Sequence, residues 1–75
     1  MILSREFVNK DHTHRFTVTP NPAGWEVREE EDSVLLHCIH RDDWHRVERD
    51  GLLFGLTASA LLRRGWRERA DCEAA

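Results

Sequence analysis

The sequence predicts an α+β domain: a three-stranded antiparallel sheet, with a candidate fourth strand, and one long C-terminal helix packed on one face. Three observations lead there. Arg15-Phe-Thr-Val-Thr19 and Trp25-Glu-Val-Arg-Glu29 alternate polar with apolar residues, as half-buried strands do. Val34-Leu-Leu-His-Cys-Ile39 is rich in strand formers. Then Trp44, Val47, Gly51, Phe54, Ala58, Leu61 and Gly65 recur at alternating intervals of three and four, the stripe of an amphipathic helix, apolar or small at each step.

Taken in order, residues 1–12 form an uncertain N-terminal segment or edge strand, with Ile2 to Val8 as the candidate fourth strand turning back through Asn9-Lys-Asp-His12. Residues 13–41 hold the antiparallel strands. Pro20-Asn-Pro-Ala-Gly24 separates the first two, and Glu31-Asp32 is a tight reversal into the third. If Glu30 pairs with Ser33, Val27 lies opposite Leu36 and Glu26 opposite His37. That register puts Phe16, Val18, Trp25, Val27, Val34, Leu36 and Cys38 beneath the helix. It puts Thr17, Glu26, Arg28, Leu35, His37 and Ile39 on the other face. The centre of the core is then Trp25, Val27, Leu36, Phe54 and Leu61.

The helix spans 42–66. Asp42 and Asp43 open it, Arg63 and Arg64 close it in the sense the helix dipole favours, and Gly65 stops it. Trp66 folds back in the position of a hydrophobic C-cap contact. A competing reading takes Asp50-Gly51 as a hairpin turn followed by a short helix from Thr57. The unbroken three-four spacing on both sides of Gly51 favours the single helix. Residues 67–75 lack an apolar pattern and read as a flexible tail.

Seventy-five residues make one small domain, which removes roughly 60–65% of its unfolded surface from water. A formal charge of −3 gives no overall attraction to nucleic acid or to an anionic membrane. The two cysteines, Cys38 and Cys72, sit in a strand and in the tail, a pattern of free thiols that points to a reducing, bacterial-type cytoplasm. No apolar run reaches membrane-spanning length, and Met1-Ile-Leu-Ser-Arg5 is too short for a signal-peptide core.

The tract His37-Cys-Ile-His40-Arg-Asp-Asp-Trp-His45 invites a metal reading. Strand geometry argues against it, because His37 points away from Cys38 and His40, and the tight Cys/His spacings of zinc sites are absent. A Cys38–His40 nucleophile pair needs a lowered thiol pKa and open access, which a residue beneath a helix lacks. No phosphate loop, nucleophile elbow or metalloprotease motif occurs. The sequence therefore assigns no catalytic residue, metal or cofactor.

Two surfaces remain. Leu52, Leu53, Leu56 and Leu62 widen the helix beyond what one sheet can cover, and a helix of about 22 residues, roughly 33 Å long, overhangs strands of five to eight residues. With Leu35 and Ile39 on the open sheet face, Leu52, Leu53 and Leu56 define a candidate interface, so the first expectation is a non-enzymatic interaction or accessory module, a homodimer. The alternative is an anionic-ligand or nucleic-acid site at Arg63, Arg64, Trp66 and Arg67, where guanidinium groups surround an indole.

Overall fold

The computed structural model describes residues 3–69. Strands β1 (Leu3–Asn9), β2 (His12–Asn21), β3 (Gly24–Glu31) and β4 (Val34–Arg41) precede helix α1 (Trp44–Arg63), and β5 (Arg67–Arg69) follows it. All five strands form one sheet in the order β4-β3-β2-β1-β5, antiparallel at each junction. Among the described residues, the α+β class and the single helix on one face are as the sequence predicts, with five strands rather than three or four. Leu3–Asn9 is the fourth; Ile2, expected at its start, lies outside the described residues.

The fifth strand is a correction. Arg67, Glu68 and Arg69, expected in a patternless tail, pair with Val8, Phe7 and Glu6 of β1. Residues 70–75, including Cys72, lie outside the described residues. Since β5 runs antiparallel to β1, it is parallel to β4 at the opposite edge, and a parallel connection requires a long crossover. The helix is that crossover.

Each hairpin has a local cause. Asn21 and Gly24 close the β2–β3 turn, where the Asn21 side chain accepts from the Ala23 N–H at 3.0 Å. Gly24 has φ 146°, and a Cβ there would collide with the Arg41 carbonyl oxygen, so the end of β4 lies directly on the glycine. The β3–β4 turn is Asp32-Ser33, one residue later than expected, with φ 53° and 67° as a two-residue type I′ hairpin requires. Asp32 fastens this turn to β2: its carboxylate accepts from the Thr13 N–H at 2.9 Å and contacts His12 at 3.0 Å.

Helix α1 runs unbroken through Gly51 and Gly55, so the Asp50-Gly51 hairpin does not form. Asp43 is the N-cap and accepts from the His45 N–H at 2.9 Å. At the other end Gly65, with φ 95°, donates to the Leu62 carbonyl, and Trp66 donates to that of Leu61. This is a Schellman closure, with Trp66 packed against the core as expected.

The core comprises Phe7, Phe16, Val18 and Val27 from the sheet and Val47, Phe54, Ala58 and Leu61 from the helix. Phe54 is its hub, with its ring centroid 4.5 Å from Phe16 and 6.0 Å from Phe7. Trp25 is only partly buried and packs on Trp44 at 5.2 Å.

Leu36, expected at the centre, is 51% exposed. The reason is a β-bulge. Glu31 pairs with Val34 and Glu30 with Leu35, but Glu29 pairs with His37, so Leu36 is the extra residue. One inserted residue reverses every later side chain: Ile39, opposite Val27, lies on the helix side, and Cys38, opposite Arg28, on the other. The expected faces of His37, Cys38 and Ile39 are therefore inverted, whereas those of Phe16, Val18, Trp25 and Val27 hold.

Candidate functional site

The helix buries Val47, Phe54, Ala58 and Leu61 and leaves an apolar outer surface. Leu52 is 77% exposed, Leu56 70% and Leu53 56%. These three expected interface residues all lie on the exposed side of the helix, Leu52 toward β1 and Leu53 toward β4. The other two are separated: Leu35 is exposed beyond the bulge, and Ile39 is half-buried on the helix side of β4 rather than on the open face.

The helix lies over the sheet with a groove on each flank. Toward β4, a cavity of about 290 Å³ lies between Glu29, His37, Ile39 and Arg41 of the sheet and Asp50 and Leu53 of the helix. Toward β1, a more open cavity of about 550 Å³ is bounded by Leu3, Arg5, Glu48, Gly51 and Leu52.

Glu29 and His37, on the wall of the β4-side cavity, belong to a polar chain that reading the sequence missed. Buried His14 places Nε2 2.5 Å from one Glu29 oxygen, and His37 places Nε2 3.0 Å from the other. His14 Nδ1 lies 3.2 Å from Glu31. The expected His37–Glu26 pairing on the outer face is thus replaced by His37–Glu29 on the inner one, a direct consequence of the bulge. At the cavity mouth, Arg41 donates both Nε and an Nη to the Asp50 carboxylate, at 2.8 and 3.0 Å, which joins β4 to the helix. This pairing holds the guanidinium pKa above its ordinary value. The contacts of His14, Glu29 and His37 run from β2 through β3 to β4 and tie the three strands together on the helix side. The signal was present in the alternation: His14 continues Phe16-x-Val18 backward, and Glu29 continues Trp25-x-Val27 forward.

The Arg/Trp segment does not form one concave site. Trp66 turns its edge to His14 at 6.4 Å and is partly buried, while Arg63 and Arg64 are exposed at the helix end. Arg67 pairs with Val8, so it lies on the sheet face away from the helix. Glu68, next to it, lies on the helix side and accepts two hydrogen bonds from Arg5, both at 2.8 Å. Those bonds hold the Glu68 carboxyl below its ordinary pKa.

The outer sheet face carries a ladder of alternating charge. Arg69, Glu6, Arg15, Glu30, Arg28 and Glu26 follow one another at 3.5 to 3.9 Å. Each cation of this ladder has an acidic neighbour, so the ladder presents no block of positive charge to a phosphate backbone.

The His/Cys tract is dispersed, with His37 inward, Cys38 and His40 outward and His45 exposed on the first helical turn. Among the described residues no group of three or more His, Cys, Asp or Glu side chains is placed to hold a metal ion. Desolvation and the adjoining Glu26 carboxylate raise the Cys38 thiol pKa, the opposite of what a nucleophile needs. Among the described residues no helix is long and apolar enough to cross a membrane. Comparison with protein-family models, with curated proteins and with solved structures finds no match to this chain.

Proposed function

We propose that the protein is a non-enzymatic interaction module that acts as a homodimer in a reducing cytoplasm. The carrying observation is the outer surface of α1, where Leu52, Leu53 and Leu56 are each more than half exposed on a helix whose opposite side is already buried. Such leucines gain about 25 cal/mol per Å² when a second surface covers them, and a two-fold contact is the commonest arrangement among oligomers. The raised thiol of Cys38 supports a binding role over a nucleophilic one.

Light scattering across a concentration series tests this. The expected result is twice the chain mass of 8.8 kDa at micromolar concentration. A chain that stays at the single mass up to millimolar concentration overturns the proposal. A second reading rests on the exposed Arg63, Arg64 and Arg67, which would bind an anionic ligand or nucleic acid. It requires polyanion binding that weakens steeply with salt and with Arg64→Ala.

A further inference from the structure

We infer that the two copies associate helix to helix, antiparallel, along the flank of α1 that carries Glu48, Leu52, Leu56, Ser59 and Arg63, with the two-fold axis passing between Gly55 and Leu56. This rests on the association reading above and specifies the surface it uses.

Spacing places these five residues on one seam, since they follow one another at intervals of four, four, three and four along a helix of 3.6 residues per turn. All five are exposed. Glu48 and Leu52 border the groove toward β1, whereas Asp50 and Leu53 border the groove toward β4, which fixes the flank on which the seam lies.

The occupant follows from complementarity. With the axis between Gly55 and Leu56, Glu48 of one copy meets Arg63 of the other, Leu52 meets Ser59, and Leu56 meets Gly55. Each contact has a reciprocal copy. A single axis thus joins opposite charges at both ends and sets a leucine against a small residue at each step between. Covering Ser59 does not strand its hydroxyl, because a helical serine can donate to the carbonyl four residues back. Nothing lies within 4 Å of a Cβ added at Gly55, so the packing of the single chain leaves room for the Leu56 of another. A parallel pairing would instead oppose Glu48 to Glu48 and Arg63 to Arg63.

The other flank lacks this property. Arg46, Arg49 and Arg64 border Leu53 there, and its acidic residue, Asp50, is held by two hydrogen bonds from Arg41, whereas Glu48 has a single 3.7 Å contact with exposed His45. An antiparallel contact on that side would bring arginine against arginine, and like charges suppress association.

The test is sedimentation equilibrium of the full chain. Wild type should be dimeric, and Leu56→Glu should be monomeric with an unchanged circular dichroism spectrum. Glu48→Arg and Arg63→Glu should each weaken the dimer about tenfold or more. The double variant Glu48→Arg/Arg63→Glu should return to within a few-fold of wild type. That recovery distinguishes the seam from general loss of folding, because the double variant carries both changes. A dimer that persists in Leu56→Glu, or a double variant no tighter than the singles, overturns the seam while leaving the association reading intact. A monomeric wild type removes both.

Discussion

Strands β2 and β4 carry comparable apolar residues and meet opposite fates. In β2, Phe16 and Val18 are buried together with His14; in β4, Val34, Leu35 and Leu36 are exposed although they form the most apolar run of any strand. Two differences explain this. β2 is an interior strand paired on both sides, whereas β4 is an edge with one neighbour. β2 keeps strict alternation against β3, whereas the bulge at Leu36 inverts β4 from His37 onward and brings Ile39 rather than Cys38 beneath the helix. Burial is set by position and phase, with hydrophobicity deciding only among the positions that remain.

Truncation separates the two strands most sharply. Phe16→Ala should cost about 3–5 kcal/mol, whereas Leu36→Ala should stay within about 0.5 kcal/mol. Both follow from denaturant midpoints, and a comparable loss at Leu36 would show that β4 is covered. Next in size is Gly24→Ala, which tests how firmly the end of β4 is seated. Its new Cβ would run into the Arg41 carbonyl oxygen, and the forced shift should cost about 1–3 kcal/mol. Retained stability there would mean that β4 can move freely.

A smaller effect of opposite sign is expected at Gly51, where an added Cβ meets nothing within 4 Å. Gly51→Ala should stabilise the fold by about 1 kcal/mol through helix propensity alone, and a decrease in melting temperature would indicate packing over that groove. The smallest effect concerns the tether between the start of β2 and the turn before β4. The hydrogen bond and charge of Asp32 raise the His12 pKa above its ordinary 6.5, so this stabilisation is complete below 6.5 and is lost as pH rises through the folded value. The same hydrogen bond and that from Thr13 lower Asp32 below its ordinary 3.8, so its contribution is present above 3.8 and is lost as pH falls through the folded value. Stability should therefore decline on both sides of that interval, and His12→Phe should remove the alkaline decline. An unchanged profile in that variant would release the turn from β2.

What was legible in the sequence depended on local signals. The helix lies inside its expected span because the stripe, Asp43 and Gly65 are all properties of neighbouring residues. The faces of β2 and β3 hold for the same reason. The phase of β4 was not legible, since the bulge brings Ile39 beneath a helix that lies later in the chain, a non-local gain. β5 was not legible either: Arg-Glu-Arg has no apolar pattern, and its pairing is supported by Arg5–Glu68 and Glu6–Arg69, contacts with the first strand. The His14–Glu29–His37 chain was half legible, as His14 and Glu29 extend alternations already visible while His37 required the bulge.

The pairing of β5 with β1 also sets the order in which the molecule can assemble. The four-strand meander closes through short hairpins and needs only neighbouring chain, so it can form early. The Arg5–Glu68 clamp joins residues 63 positions apart and can close only once the helix has carried the chain from one edge of the sheet to the other. Closing so long a loop costs only logarithmically more than closing a short one, so the delay is one of sequence order rather than of energy. Until it closes, β1 stands open as a second edge beside β4, and the interval between meander and clamp is when that strand is most exposed to pairing with one that is not its own.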